Sequence, residues 1–246
     1  MGQEEQGITK RMIKRTILVI MLIMTASLQV TWAQKVVIHP TGKDPIEFEV
    51  TELDSITFID ASKMQICPDD HHPHAIDLGL PSGTKWSCCN VGASRPEDSG
   101  GYYAWGETSE KDYYSWNTYA YYGVSIGSDI ANSSYDVANV CMGSPWRMPS
   151  VEQMVELHDN CFSQWTNQND VNGLLLTGAS GNQIFLPAVG RHWIDGLLNV
   201  GSRGCYWSCS LQNGCDFAYT LYFSSGGYAI GYDGCGIGHS VRAVCP

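Results

Sequence analysis

Apolar and polar positions along this chain alternate in short stretches, punctuated by Gly, Asn and Pro. Near the N-terminus KVVIH at 35–39 is apolar and β-branched, PTGKD at 40–44 is turn-forming, and IEFEV at 46–50 alternates strictly. This pattern predicts a strand-turn-strand unit, with LDSITF at 53–58 as a third short strand. So small a unit must pair or dock to persist. From Ala75 onward the texture is uniform, and strands are predicted at KWSCCNV, GYYAWG, GLLLTG, NQIFLPA, CYWSCS, AYTLYFSS, YAIGY and SVRAVC. One clear helix interrupts them. Ser150 precedes VEQMVELHDNC as N-cap, and Gln153 three residues later completes a capping-box pattern. Val151, Met154, Val155, His158 and Cys161 or Phe162 share its apolar face, and a shorter helical turn is expected at 136–140. The segments show no repeating period.

The first 33 residues have a different grammar. Lys10, Arg11, Lys14 and Arg15 precede the apolar run Ile17 to Leu28, and Thr31-Trp32-Ala33 supplies small residues for cleavage near Ala33. This reads as a cleavable secretory signal, for which Met12 is an alternative start. Its dozen apolar residues fall short of a membrane span, so no transmembrane segment is expected in the mature chain. No Cys follows Ala33, which disfavours a lipoprotein anchor. The expected organisation is a signal at 1–33, a small β segment at 34–60, a linker at 61–74 and one domain at 75–246.

Charge narrows the partners. The 246 residues carry 14 Lys and Arg against 25 Asp and Glu, a net charge of −11. Loss of residues 1–33 removes four basic and two acidic residues, leaving ten against 23, about −13. Beyond Asp112 there is no lysine, and Arg147, Arg191, Arg203 and Arg242 are the basic residues. A nucleic-acid partner is excluded on this balance, because phosphates require a positive field. With 43% hydrophobic and 11% aromatic residues, the chain has ample material for a core.

Eight ordered phrases carry a family resemblance: DLGLPSGTKWS at 77–87, CNVGAS at 89–94, GYYAWGETS at 101–109, WRMPS at 146–150, NQIFLPAVG at 182–190, YWSCS at 206–210, AYTLYF at 218–223 and SVRAV at 240–244. Together they resemble the Fibrobacter succinogenes major paralogous domain, a family of exported proteins from Bacteroidetes-type bacteria. The resemblance covers nearly all of 75–246. It implies an α+β, C-type-lectin-like fold: a loop-rich, twisted antiparallel sheet with one or two short helices, more distantly similar to the formylglycine-generating-enzyme fold. It also implies an address outside the cytoplasm of a Gram-negative cell, secreted, surface-displayed or periplasmic. Cys89 and Cys161 fall at recurrent family positions, which implies a disulfide between them, with Cys88 facing the other way along its strand. Cys205, Cys209, Cys215 and Cys235 offer further pairings.

The candidate chemistry is sparse. Tyr113, Tyr114, Trp116, Tyr119, Tyr121 and Tyr122 crowd one weakly charged segment, and Tyr228 and Tyr232 lie in the glycine-rich 226–239 stretch. Such aromatic rings either stack on sugars or protein surfaces, or pack the domain's own interior. Trp86, Trp105, Trp146 and Trp207 read as structural, as do Arg147 and Arg242, lone cations in apolar phrases that must tie down carbonyls or a carboxylate. His71, His72 and His74 beside Asp69 and Asp70 are ligand types, but a Pro-broken linker predicts no rigid frame, so no metal is assigned. Scattered carboxylates such as Asp112, Asp129 and Asp136 are the candidates for calcium, and no other cofactor is indicated. No catalytic residue is assigned. The expectation is a non-enzymatic module binding an extracellular glycan or protein. The alternatives are a structural part of a surface assembly or a formylglycine-type oxidase using Cys205 and Cys209.

Overall fold

A computed structural model describes residues 35–38, 44–49, 71–212 and 216–246. The signal at 1–33 with its cleavage site near Ala33, the third strand expected at 53–58, linker residues 61–70 and Cys215 lie outside the described residues. The chain divides into two compact units, Met1–Phe58 and Ile59–Pro246. In the first, β1 (Lys35–Ile38) pairs antiparallel with β2 (Ile46–Glu49), Val37 opposite Glu47. The turn-forming sequence between an apolar, β-branched run and an alternating run predicts this hairpin.

The second unit is mostly antiparallel sheet. β3 (Ala75–Asp77), β4 (Lys85–Asn90) and β13 (Arg242–Cys245) form one sheet with β4 in the middle. β5 (Phe162–Gln168), β6 (Val171–Thr177) and β7 (Gln183–Pro187) form a second. β8 (Arg191–Trp193) and β9 (Gly196–Leu198) make a short hairpin, and β10 (Arg203–Leu211), β11 (Phe217–Ser224) and β12 (Gly227–Gly234) a third sheet. Among the described residues the helices are α1 (Val137–Met142) and α2 (Val151–Asn160), and neither is long and apolar enough to cross a membrane.

Local chemistry explains the helix entries. The Ser150 hydroxyl accepts from the Gln153 N–H while the Gln153 side chain accepts from the Ser150 N–H, a closed capping box. Met154 and Leu157 are the buried residues of α2, whereas Val155 is exposed, so the buried stripe is narrower than the expected face. At α1 the fully buried Asp136 carboxylate accepts from the N–H groups of Asn132, Ala138, Asn139 and Met148. Burial pushes its pKa up, against these four donors. Asp136 is thereby occupied within the fold, and among the described residues Asp112, Asp129 and Asp136 form no cation-ligand group.

Arg242 is the interior counterpart. It is 1% exposed, and its guanidinium donates to Asn90 Oδ1 and to the carbonyls of Ser87, Cys88 and Phe185 at 2.6–3.0 Å. One side chain thus joins β4, β7 and β13. Arg147 donates to the Met148 carbonyl and to Gln153 Oε1 at the entry of α2. The Trp105 and Trp207 indoles donate to the Ser208 and Tyr103 carbonyls, Trp86 is buried without a partner for its N–H, and Trp146 is half-buried. GYYAWG is not a strand. It is a loop pinned by single contacts from the Tyr103 N–H to the His239 carbonyl and from the Trp105 N–H to the Cys235 carbonyl. The Tyr103 ring folds back over Gly101, where a Cβ would stand 2.2 Å from its hydroxyl.

The cysteine expectations change. Cys161 is free, so it forms no bridge to Cys89, and Cys88, Cys205, Cys209 and Cys235 are free as well. Cys161 caps the end of α2, while Cys89 Sγ lies 3.4 Å from Cys88 Sγ. The two neighbours on β4 therefore do not turn their sulfurs apart, as simple strand alternation implied; β4 is buried on both faces and admits either direction.

Candidate functional site

The aromatic segment at 113–122 splits in two. Tyr114 and Tyr119 are buried, their hydroxyls donating to the carbonyls of Tyr102 and Trp105, so neither is available to a ligand. That corrects their place among the binding candidates. The hydrogen bonds explain it, because each ring lies inside while its oxygen satisfies a loop carbonyl. Tyr121 is half-buried with its ring edge-on to Tyr119 and Tyr135. Tyr113 and Tyr122 are exposed, at 46% and 60%.

The outward residues join others from the third sheet. Tyr122 lies 5.6 Å from Trp116, Trp116 lies 6.0 Å from Phe217, and Phe217 lies 5.9 Å from Tyr232, each measured between ring centres. Tyr232 is 52% and Phe217 37% exposed. Trp116 can approach because Gly234 has no side chain; a Cβ there would lie 2.7 Å from the indole. The result is an aromatic strip running from the loop onto β11 and β12. It unites Trp116, Tyr122 and Tyr232, which the sequence suggests, with Phe217, which it does not.

Tyr232 also borders a cleft of about 640 Å³. Cys205, Tyr222 and Ala229 are register partners across β10, β11 and β12, and Arg203, Ser224 and Gly227 form the next row. All six line the cleft, since paired residues share a face. Gly231 leaves room for the Tyr222 ring, whose hydroxyl would lie 2.2 Å from a Cβ. Arg191 enters from β8, and its Nη1 lies 2.9 Å from Asp233 Oδ2. Its position follows from Gly190, at φ 67°, where a Cβ would lie 2.1 Å from the Leu198 carbonyl oxygen. Tyr228 reaches the rim, but its hydroxyl donates to the His158 carbonyl and its ring packs on that imidazole.

Electrostatics are concentrated at Asp233. Burial raises its pKa, but His239 with Nε2 at 3.2 Å, the Gly234 N–H and Arg191 together hold it below the ordinary carboxylate value. His239 is fully buried, and burial lowers its pKa despite Asp233. Its ring nitrogens make no aligned hydrogen bond, the Asp233 oxygen lying off the N–H direction. Nearby, Ser208 Oγ donates to the Ser210 carbonyl, and Ser210 Oγ accepts from the Val151 N–H. Cys205 is pushed up to about 11 by burial, and burial raises Cys209 further. A register shift between Trp207 and Leu211 breaks the strand alternation on which a shared face for Cys205 and Cys209 depends.

A second cluster lies elsewhere. His72 and His74 pack against Cys88, whose thiol is held well below its ordinary value by the Cys89 side chain first, against burial, with the His74 N–H and His72 adding to the effect. His71 is exposed. Comparison with protein-family models, with curated proteins and with solved structures found no match.

Proposed function

We propose that the chain is an exported, non-enzymatic binding module of the Fibrobacter succinogenes major paralogous domain type, C-type-lectin-like in fold, that holds an acidic oligosaccharide outside the cell. The observation that carries this reading is Tyr232, which belongs both to the strip Tyr122–Trp116–Phe217–Tyr232 and to the lining of the cleft containing Arg191 and Arg203. Aromatic faces stack on sugar rings, and a guanidinium fork matches a carboxylate or sulfate. Arg191 Nε, a buried donor without a partner, adds unfilled hydrogen-bonding capacity beside the cleft. The chain's net charge of −11 opposes an anion at long range, but screening beyond about 8 Å at physiological salt leaves the local arginines to decide. Against the oxidase alternative stand the raised pKa values of Cys205 and Cys209, opposite to those of reactive thiols.

The test is a glycan array of neutral, uronate-bearing and sulfated oligosaccharides, followed by titration calorimetry. Binding should concentrate on acidic chains, and Phe217→Ala should weaken it by about tenfold, on the scale of a lost stacking contact. Binding to none of the three classes, or equal binding by Phe217→Ala, would overturn the reading.

A further inference from the structure

Three ligand-type atoms converge at β4, away from the cleft. Cys88 Sγ lies 3.1 Å from His72 Nδ1 and 3.7 Å from His74 Nδ1, and the three residues offer one ligand atom each within 4.8 Å of one another. A tetrahedral zinc with Zn–S of about 2.3 Å and Zn–N of about 2.0 Å requires N···S separations of about 3.5 Å. The two observed separations bracket that value. The imidazoles stand nearly perpendicular, at 82° with centres 5.1 Å apart, so two ring nitrogens approach one point without the rings colliding.

The frame is more rigid than a linker. The Cys88 N–H donates to the His74 carbonyl at 3.0 Å, and the His74 N–H donates to Cys88 Sγ at 3.0 Å. Residue 74 is therefore clamped to the central strand of its sheet, and His72 is tied in two residues away. Cys88 is buried and His72 and His74 are half-buried. Cys89 Sγ, 3.4 Å from Cys88 Sγ, supports the cluster as a neighbouring thiol.

We propose that His72, His74 and Cys88 bind zinc, with the fourth position open to water or to Cys89. Two imidazoles and a thiolate select a borderline-soft cation over calcium or magnesium, which take oxygen ligands. The metal ties the segment at 71–74 to β4. The site is independent of the cleft, so either can fail without the other.

The probes are Zn²⁺ and Co²⁺ added to the reduced full chain. One Co²⁺ should bind per chain with a thiolate charge-transfer band, and Zn²⁺ should displace it and raise the thermal midpoint. Cys88→Ser should abolish the band. His72→Ala with His74→Ala, in partly exposed positions that should leave the unliganded fold intact by circular dichroism, should weaken Zn²⁺ binding at least tenfold. A missing band in the unmodified chain overturns the proposal, as does a band that survives in Cys88→Ser or unchanged affinity in the double histidine variant.

Discussion

Four arginines serve the lysine-free stretch from Asp112 to Pro246, and they divide into an inner and an outer pair. Arg242 and Arg147 donate to carbonyls and to the amide oxygens of Asn90 and Gln153. Arg191 and Arg203 instead line one cleft, and Asp233 is the carboxylate that faces Arg191. The tyrosines divide in the same way. Tyr114 and Tyr119 close loop carbonyls inside, while Tyr122 and Tyr232 lie along an exposed strip. Residue type alone says nothing about which task is performed. What separates them is whether the surrounding backbone offers acceptors, since a buried donor must find one.

The sharpest way to break this division is Arg242→Met. It removes four hydrogen bonds at once and leaves Asn90 Oδ1 and three carbonyls without this partner in a closed interior. The expected loss is about 2–3 kcal/mol or more, the scale for leaving buried acceptors unsatisfied. Urea denaturation measures it directly. A loss below about 1 kcal/mol would mean that water or neighbouring groups replace the guanidinium, and the inner class would lose its meaning.

How far such assignments could be read from the chain depends on the range of the interaction. The Ser150–Gln153 box spans three residues, so both partners stand in one phrase and the helix entry was legible. Strands with strong apolar content, such as β7 and β11, were legible for the same reason. β5 was missed because FSQWTNQ is polar and its place in a sheet is set by β6. The loop at 101–106 was mistaken for a strand, since its aromatic composition suits a strand while its pairing consists of isolated contacts. The resemblance implies antiparallel sheet with one or two short helices, and the described residues are mostly antiparallel strands with two short helices. It did not point to Phe217, Arg191 or Arg203 as neighbours of one surface. The histidine cluster was hidden by distance: His72 and His74 meet Cys88 across 16 and 14 residues, and only docking on β4 turns a Pro-broken stretch into a frame. The scarcity of cations is a readable signal for the cleft, because with Arg242 and Arg147 engaged by backbone and amide acceptors, the location of the other two becomes informative.

A smaller effect tests Asp233, the carboxylate that faces Arg191. Asp233 has a folded pKa below its ordinary 3.8, so it contributes stability that is present above that value. The contribution is lost as pH falls through the folded pKa, when the protonated acid no longer attracts Arg191. Asp233→Asn should therefore flatten the acid limb of a stability–pH curve below about pH 4 while changing the neutral region less than Arg242→Met does. His239 provides an internal control. Its pKa is lowered by burial, so it stays neutral at pH 7 and opposes folding once acid forces a proton onto it. An acid limb of unchanged slope in Asp233→Asn would assign the whole effect to His239 and the other carboxylates.

The smallest expected change in stability is the most informative about function. Arg203 opens β10 at an exposed position of the cleft rim, and its row contains only Ser224 and Gly227. No buried acceptor depends on it in the way that three carbonyls depend on Arg242. Arg203→Ala should therefore shift unfolding free energy by no more than about 0.5 kcal/mol, the range for surface substitutions. If an acidic oligosaccharide occupies the cleft, the same variant should lose about tenfold in affinity, or about 1.4 kcal/mol. The loss should shrink as salt rises, because an exposed guanidinium acts through a screened field. Arg203→Lys separates charge from shape: it keeps the charge but not the planar fork, so affinity should recover only in part if the fork grips a carboxylate in two places. A stability loss comparable to that of Arg242→Met would move Arg203 into the inner class and remove the cleft's claim to a ligand of opposite charge.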